Sequence, residues 1–142
     1  MGLRVANIED SKLIVEMAMK FLNSTRYAVL MSEEQIKSVV DFFLISPNDK
    51  SIIFLYDKIG MLVGTTSPLL FSGPPIATEI AWWVNPEDRG TNVGKELLDA
   101  FENWAKYMGC KAVTMSCLDD RVGKFYEKNG YSLSERAYIK DL

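Results

Sequence analysis

Histidine is absent from all 142 positions of the sequence. Serine triads, cysteine–histidine pairs and histidine-bearing zinc sites all depend on an imidazole, so this chain can form none of them. A histidine general base is excluded for the same reason. Much of hydrolase chemistry is thereby removed, and a carboxylate becomes the obvious candidate for a general base.

Cysteine is nearly absent as well. Cys110 and Cys117 are the only two, which is too few for a four-thiolate metal site and allows no more than one disulfide. We therefore interpret both as reduced, buried thiols and predict no metal site.

Long apolar runs and an excess of basic charge are also missing. Residues 39–45 form one of the longest apolar stretches, far short of the roughly 18 residues that a membrane-spanning helix needs. The N-terminus lacks the apolar core of a secretory signal, and the net charge of −3 provides no basic field to attract nucleic acid. The sequence thus predicts a cytoplasmic protein that binds neither membranes nor nucleic acids.

The composition that is present is typical of a folded domain. Hydrophobic residues make up 48% of the chain and charged residues 25%, as in ordinary globular proteins. A chain of this length is expected to bury about 68–70% of its unfolded surface. No repeat, low-complexity tract or long linker interrupts it, so the sequence predicts a single domain over residues 1–142.

The spacing of apolar residues predicts the elements of the first half. Residues 3–6 alternate as in a short strand, and the cap residues Asn7 and Asp10 precede a helix. The spacing of Ser32 and Gln35 matches a capping box, and it predicts a second helix that extends up to Pro47.

The second half changes period twice. Strands at residues 51–56, 61–66 and 77–84 predict an antiparallel meander, and a helix is expected from Gly94 to Gly109. The remaining predictions are a strand at 111–117, a helix at 119–128 and two short strands after Tyr131. The whole order is β-α-α-β-β-β-α-β-α-β-β, an α/β (α+β) fold with a mixed, mostly antiparallel central sheet flanked by about four helices.

The connection between strand 77–84 and the next helix contains the first functional signal. Backbone amides at the start of a helix are unpaired and lie at the positive end of its dipole, so such a turn can hold a phosphate. Gly90 and Gly94 permit close approach of the backbone, while Arg89 and Lys95 add positive charge. On spacing alone, a plain strand-to-helix loop is the alternative.

This connection resembles the acyl-CoA pyrophosphate loop of the GNAT superfamily of N-acyltransferases. The family pattern is Arg or Gln, two residues, Gly, one residue, and Gly or Ala. It begins here at Arg89 and ends at Gly94, and its middle glycine falls on Asn92. The resemblance implies that acetyl-CoA is a co-substrate bound by Arg89, Gly90, Thr91, Asn92, Val93, Gly94 and Lys95.

A second stretch, residues 119–131, is similar to the family sequence Asn-x-x-Ala-x-x-x-Tyr-Glu-Lys-x-Gly-Phe. The family's Asn falls on Asp119, which the resemblance places beside the cofactor, and its Ala falls on Val122. Tyr126 matches the family's tyrosine and is the candidate general acid, because a phenol can protonate a departing thiolate without being ionised itself. The alternative for Tyr126 is an aromatic packed beside Phe125. The residues identical to the family pattern are Tyr126, Glu127, Lys128 and Gly130.

Glu79 is the candidate general base. It lies five residues before Val84, and this position resembles the one from which several GNAT enzymes use a glutamate, often through water. Strand alternation places it on the same face as Ala81 and Trp83, and partial burial would raise its pKa toward neutrality. The alternative is a solvated strand face or a pair with a surface lysine.

The resemblance also implies the rest of the site. Main-chain groups at Trp83 and Val84 would hold the thioester oxygen, and the acetyl group would pass directly to a primary amine in a ternary complex. The acceptor, a small-molecule or peptide amine, would bind near Thr25, Arg26, Tyr27 and Tyr138. The three tryptophans are interpreted as core residues, and a homodimer through residues 136–140 is compatible with the sequence.

Two other functions are open at this point. A non-catalytic acyl-CoA-binding or regulatory module is motivated by the departures at Asn92, Asp119 and Val122. A protein-interaction domain that uses exposed aromatic residues would have no affinity for CoA.

Overall fold

A mixed sheet of five strands forms the centre of the computed structural model, which describes residues 2–45 and 50–142. Neighbouring strands follow one another in chain order, the first four antiparallel and the last parallel to the fourth. The strands are β1 (Leu3–Val5), β2 (Ser51–Tyr56), β3 (Gly60–Pro68), β4 (Pro75–Val84) and β5 (Val113–Thr114).

Four α-helices cover this sheet in the described part of the chain, and none of them is long and apolar enough to cross a bilayer. The predicted capping box is confirmed, because Ser32 Oγ accepts from Gln35 N at 3.2 Å and Gln35 Oε1 accepts from Ser32 N at 2.8 Å. The expected end of that helix at Pro47 lies outside the described residues. The helices are α1 (Ser11–Asn23), α2 (Glu33–Ile45), α3 (Val93–Tyr107) and α4 (Asp120–Lys128), with 3₁₀ turns at Ile8–Asp10, Arg26–Leu30 and Pro86–Asp88.

Apolar side chains are buried on both faces of the sheet. Helices α1 and α2 pack on one face, where Met17, Met61 and Trp83 belong to one cluster. Helix α3 packs on the other face, where Leu62 and Phe101 belong to a second cluster. The predicted fold class, a mostly antiparallel mixed sheet with helices packed on it, is confirmed.

A β-bulge interrupts β4 at Ile80. Val63 of β3 pairs with Ala81, but its neighbour Gly64 pairs with Glu79, so Ile80 is the extra residue. Because a bulge changes the alternation by one position, Glu79 faces α3, whereas Ala81 packs toward α1 and α2. The expectation that Glu79 shares a face with Ala81 and Trp83 is therefore wrong.

Next to the bulge, β3 and α3 lie in close contact at Gly64 and Phe101. A Cβ atom added at Gly64 would lie 2.2 Å from Cε1 of Phe101, which is fully buried. We expect Gly64→Ala to lower the free energy of unfolding by about 1–3 kcal/mol, measured by urea denaturation, because Phe101 has no space to move into.

The matched control for that substitution is Gly123→Ala in α4. There the new Cβ atom would contact only Cys117 Sγ, at 3.5 Å, and alanine favours a helix over glycine by up to about 1 kcal/mol. Equal stability of Gly64→Ala and the wild type would contradict the tight contact.

The C-terminal part of the predicted order is wrong. The strand expected at 111–117 is reduced to Val113–Thr114, and the two strands expected after Tyr131 are not formed in the described structure. A strand needs a hydrogen-bonding partner and a buried face, whereas Leu133 and Tyr138 are exposed and the segment they belong to pairs with no strand in the described structure. The observed order is β-α-α-β-β-β-α-β-α.

The structure confirms only in part that both cysteines are reduced, buried thiols. Both are free thiols, and Cys110 is half-buried, but Cys117 is exposed. The chain leaves the sheet after Thr114, so Cys117 does not lie on a strand face directed at the core.

Candidate active site

Strands β4 and β5 diverge beside Glu79. In the described structure β5 pairs with β4 only at Ala77 and Thr78, and beyond them the Glu79 carboxylate accepts a hydrogen bond from Ser116 N at 3.1 Å. The side chain thus occupies the place where the two strands separate. Glu79 is the one charged residue in the buried core of the described chain, with 8% of its surface exposed.

Burial sets the protonation of Glu79. Desolvation raises its pKa to about 7, although the hydrogen bond from Ser116 lowers it. A carboxyl group with this pKa is ionised in part of the molecules at neutral pH. It can therefore take up a proton and release it again.

Tyr126 of α4 contacts the same residue, Ser116. Its hydroxyl donates to the carbonyl oxygen of Ser116 at 2.7 Å, and the ring is buried. Burial, and after it the charge of Glu79, raise the pKa of Tyr126 above its ordinary value, so the phenol keeps its proton at neutral pH. Ser116 thus brings the predicted base and the predicted acid together, one on its N–H and one on its C=O.

Arg89 is held at the end of β4. Its Nε donates to Val84 O at 2.8 Å, and its guanidinium lies 4.8 Å from the centre of the Trp83 ring. Trp83 in turn donates from Nε1 to Asn85 Oδ1 at 2.9 Å. These contacts fix the path of the chain from the strand into the connection that follows.

The predicted phosphate loop forms a turn that leads directly into α3. Gly90 has a positive φ of 83°, which glycine adopts without strain, and Thr91 Oγ1 donates to Asp88 O at 2.6 Å. Asn92 takes the N-cap position with a φ of −77°, and within the described residues its side chain makes no capping hydrogen bond. The asparagine side chain therefore caps none of the first-turn amides of α3, and the amide of Val93 instead donates to Thr91 Oγ1 at 3.4 Å.

Two predicted charged residues of the site already have partners. Lys95 forms an ion pair with Asp99 one turn along α3, on the protein surface, where such pairs are weak. Asp119 is the N-cap of α4, since its Oδ1 accepts from Val122 N at 3.0 Å. The Asp119 carboxylate is used for capping, whereas the Lys95 ammonium can exchange its partner.

Trp82 closes the space between the loop and α4. A Cβ atom at Gly94 would lie 3.2 Å from Trp82 Cζ2, so the missing side chain at Gly94 is what lets the indole pack there. The other side of the indole stacks on Tyr126, with ring centres 5.8 Å apart and planes at 26°. Trp82 packs on the second core cluster, as interpreted from the sequence, but the sequence analysis did not place it beside Gly94 and Tyr126. Alternation along β4 from Val84 was the signal that could have found it.

The residues predicted for the acceptor lie between α1 and α2 and in the C-terminal segment. Thr25 Oγ1 accepts from Tyr27 N at 3.0 Å and caps the 3₁₀ turn, and Arg26 pairs with Asp141 at 3.3 Å. Tyr138 is 92% exposed. The structure thus brings Arg26 to the C-terminal segment but does not gather all four residues around one cavity.

An open cavity of about 460 Å³ adjoins these residues at the C-terminal end of α1. Sequence analysis did not find it, because its lining comes from the end of α1 and the end of β4, which only the fold brings together. The lining residues are Lys20, Asn23, Ser24, Trp83, Asn85, Pro86 and Glu87.

The site residues fit an acyl-CoA. The Asn92 side chain does not cap the first turn of α3 and Gly94 has no side chain, and the end of β4 has no β5 partner in the described structure. The Nε1 of Trp82 is a buried donor without a hydrogen-bond partner among the described residues. An anionic ligand with amide and phosphate oxygens matches these donors. The described residues contain no group of three or more acidic, cysteine or histidine side chains that could hold a metal ion.

Solved structures with the same fold include proteins of several organisms. An acetyltransferase of Trypanosoma brucei has 20% identity and a TM-score of 0.75, with 99% of this chain and 98% of that chain covered. Glucosamine-6-phosphate N-acetyltransferase of Arabidopsis thaliana has 19% identity and a TM-score of 0.77, with coverages of 98% and 96%. An aminoglycoside N-acetyltransferase solved with CoA has 16% identity and a TM-score of 0.76, with coverages of 99% and 93%.

The sequence itself matches a family of known proteins. The family described as "Acetyltransferase (GNAT) family" matches over residues 15–131, which extends from within α1 through the predicted phosphate loop and past the end of α4. The chain belongs to the GNAT family of acetyltransferases.

Proposed function

We propose that residues 1–142 form one N-acetyltransferase domain that transfers an acetyl group from acetyl-CoA directly to a primary amine. The observation that carries this proposal is the arrangement of Glu79 and Tyr126 on the two sides of Ser116, where β4 and β5 diverge. A base with a pKa of about 7 and a protonated phenol can supply the general-base and general-acid catalysis that accelerates aminolysis of a thioester.

Glu79 would act on the acceptor. A lysine-like amine has a reference pKa of about 10.4 and is protonated at neutral pH, so it must lose a proton before it can attack. The buried carboxylate of Glu79 would take this proton, directly or through a water molecule, and would thereby become a neutral carboxylic acid.

Other groups of the chain would act on the thioester that acetyl-CoA supplies. A main-chain N–H at the end of β4 would hold the thioester oxygen as negative charge develops on it. The register points the N–H of Val84 away from β3, whereas that of Trp83 points toward β3. As the new C–N bond forms and the C–S bond breaks, Tyr126 would give its proton to the departing sulfur, and the second proton that the acylated nitrogen must lose would restore the phenol. The amides of residues 90–95, with Arg89 and Lys95, would hold the pyrophosphate.

The acceptor side is proposed to include Thr25, Arg26, Tyr27 and Tyr138. The cavity at the end of α1 adjoins these residues, and its lining contains both a cation, Lys20, and an anion, Glu87. A small-molecule or peptide amine is the proposed acceptor class.

The proposal is tested by calorimetric titration with acetyl-CoA and with free CoA at moderate salt, followed by turnover with a panel of amines. We expect saturable micromolar binding of both and release of free thiol with at least one amine. Binding without turnover on any amine would instead support a non-catalytic acyl-CoA-binding module. Absence of binding would overturn the proposed function.

Replacement of Tyr126 by phenylalanine separates its chemical role from its structural one. We expect kcat to fall by about 10²-fold or more, because the sulfur then leaves without a proton, while the Kd for acetyl-CoA changes little. Stability should fall by about 1 kcal/mol, since the carbonyl of Ser116 loses its donor.

Tyr131→Phe is the matched control for this measurement. Its hydroxyl also makes a side-chain hydrogen bond, but it donates to Glu102 Oε2 at 2.7 Å rather than to Ser116, and phenylalanine keeps the ring contact with Tyr126, whose centre lies 5.6 Å away. We expect a similar loss of stability with kcat close to wild type. A Tyr126→Phe enzyme with wild-type kcat would show that Tyr126 only packs.

A further inference from the structure

The indole of Trp82 carries an unused hydrogen-bond donor. Its Nε1 is buried and has no hydrogen-bond partner in the part of the chain that the structure describes. The next residue provides the contrast, because Trp83 Nε1 donates to Asn85 Oδ1 at 2.9 Å. A buried donor without a partner is costly and rare in native proteins, so this one requires an explanation.

The neighbours of Trp82 do not supply a partner. Tyr126 lies parallel to the indole, with planes at 26°, so an N–H in the indole plane does not point at the face of that ring. Phe125 is the second aromatic neighbour, with ring centres 5.8 Å apart, and it carries no acceptor atom. The third neighbour, Gly94, contributes no side chain.

The indole of Trp82 contacts both the predicted phosphate loop and the proposed general acid, Tyr126. The Cζ2 edge of the indole contacts the first turn of α3 at Gly94, and its face packs on the ring of Tyr126. Trp82 therefore lies between the turn that would hold a pyrophosphate and the phenol that would protonate the thiolate. The segment of an acyl-CoA that joins these two points contains phosphate oxygens and amide carbonyls.

We propose that Trp82 is a cofactor-binding residue whose Nε1–H donates a hydrogen bond to an oxygen in the pyrophosphate–pantetheine segment of acyl-CoA. This inference rests on the proposed function. An indole N–H can only donate, so the ligand atom that satisfies it is an acceptor. The same ring positions Tyr126 by stacking, which links occupancy of the cofactor site to the place of the general acid.

The test uses the indole N–H signals of the ¹⁵N-labelled protein together with calorimetry. The chain has three tryptophans, and single Trp→Phe variants assign their three signals. On titration with CoA we expect the Trp82 signal to move downfield and to exchange more slowly with solvent, whereas the Trp104 signal stays in place. These observations need only the wild-type protein once the signals are assigned.

Trp82→Phe supplies the affinity measurement, because phenylalanine keeps an aromatic ring but removes the N–H. We expect it to bind CoA about tenfold more weakly, the loss typical of one hydrogen bond to a polar or charged group. Trp104→Phe is the control, since Trp104 stacks on Phe101 away from the loop, and its affinity should equal that of the wild type. Titration with ADP shows which part of the ligand is bound: an equal loss for ADP and CoA indicates a phosphate oxygen, and a loss for CoA alone indicates pantetheine.

The outcomes separate this inference from the proposed function. If the wild type binds CoA, but the Trp82 signal does not move and Trp82→Phe binds equally well, the inference is overturned and the proposed function stands. If the wild type binds no CoA, both are overturned. If Trp82→Phe does not fold, the movement of the Trp82 signal in the wild-type protein decides alone, with the other two signals assigned by Trp83→Phe and Trp104→Phe.

Discussion

Replacement of Glu79 by glutamine is expected to lower kcat by about 10²–10⁴-fold, the range that general-base catalysis contributes. Glutamine has nearly the same shape, and its Oε1 can still accept the hydrogen bond that Ser116 N donates to Glu79. Affinity for acetyl-CoA should therefore change little. Steady-state kinetics with calorimetry of the same samples separates the two quantities. Glu16→Gln, on the exposed face of α1, is the control and should behave as wild type.

The pH dependence of the wild-type enzyme follows from the same residue. A base must be ionised, and burial raises the pKa of Glu79 to about 7, so kcat/KM should rise with pH up to about 7. Glu79→Gln should lack this rise in whatever activity it keeps. A wild-type profile that is flat from pH 5.5 to 8, a range of about one and a half units below to one above that pKa, would contradict Glu79 as the base.

Stability should change in the opposite direction to activity. The pKa of Glu79 is raised from an ordinary value of 4.5, so between these values the folded protein binds more protons than the unfolded chain. Stability is therefore lost as pH rises through this window. At pH 8 the glutamine variant should be more stable than wild type, by up to roughly 3 kcal/mol, and the difference should shrink toward pH 4.5. Urea denaturation at the two pH values measures it.

Gly94→Glu should weaken CoA binding by at least about 100-fold. The new side chain begins 3.2 Å from Trp82, and its carboxylate would lie at the first turn of α3, where the amides are proposed to bind the pyrophosphate. Two negative groups would then compete for one positive helix end. The helix itself should not suffer, because a negative charge near an N-terminus stabilises it. Calorimetric titration gives the affinity, and thermal unfolding verifies the fold.

The isosteric variant Gly94→Gln separates charge from bulk. It fills the same space without the charge, so we expect it to bind CoA more weakly than wild type but clearly better than Gly94→Glu. Wild-type affinity in the glutamate variant would place the pyrophosphate elsewhere.

Local chemistry was the part of the fold that the sequence predicted best. The Ser32–Gln35 capping box and the bounds of β2 agree with the structure, because each depends on residues close together in the chain. The prediction of two strands after Tyr131 was wrong, because strand formation depends on residues that are distant in the chain. Alternation of side chains does not specify a partner strand, and the structure provides none in its described part.

The site shows a similar division. The family resemblance selected Glu79 and Tyr126, but that both contact Ser116 depends on where β5 ends, which no spacing in the sequence reveals. The face of Glu79 was mispredicted, because the bulge is set by pairing with β3. No sequence pattern indicates that the N–H of Trp82 lacks a partner in the described structure, because this depends on which groups pack around the indole.

Because of the bulge at Ile80, shortening β4 by one residue and lengthening β3 by one residue should have different effects on the pairing of β3 and β4. Deletion of Ile80 would remove the extra residue and leave Gly64 opposite Glu79, so the carboxylate would keep its side of the sheet. An insertion after Val63 would give Ile80 a partner and restore continuous alternation, which would turn either Glu79 or the end of β4 to the other side. A shorter β4 is thus compatible with the present orientation of the Glu79 carboxylate, whereas a longer β3 is not.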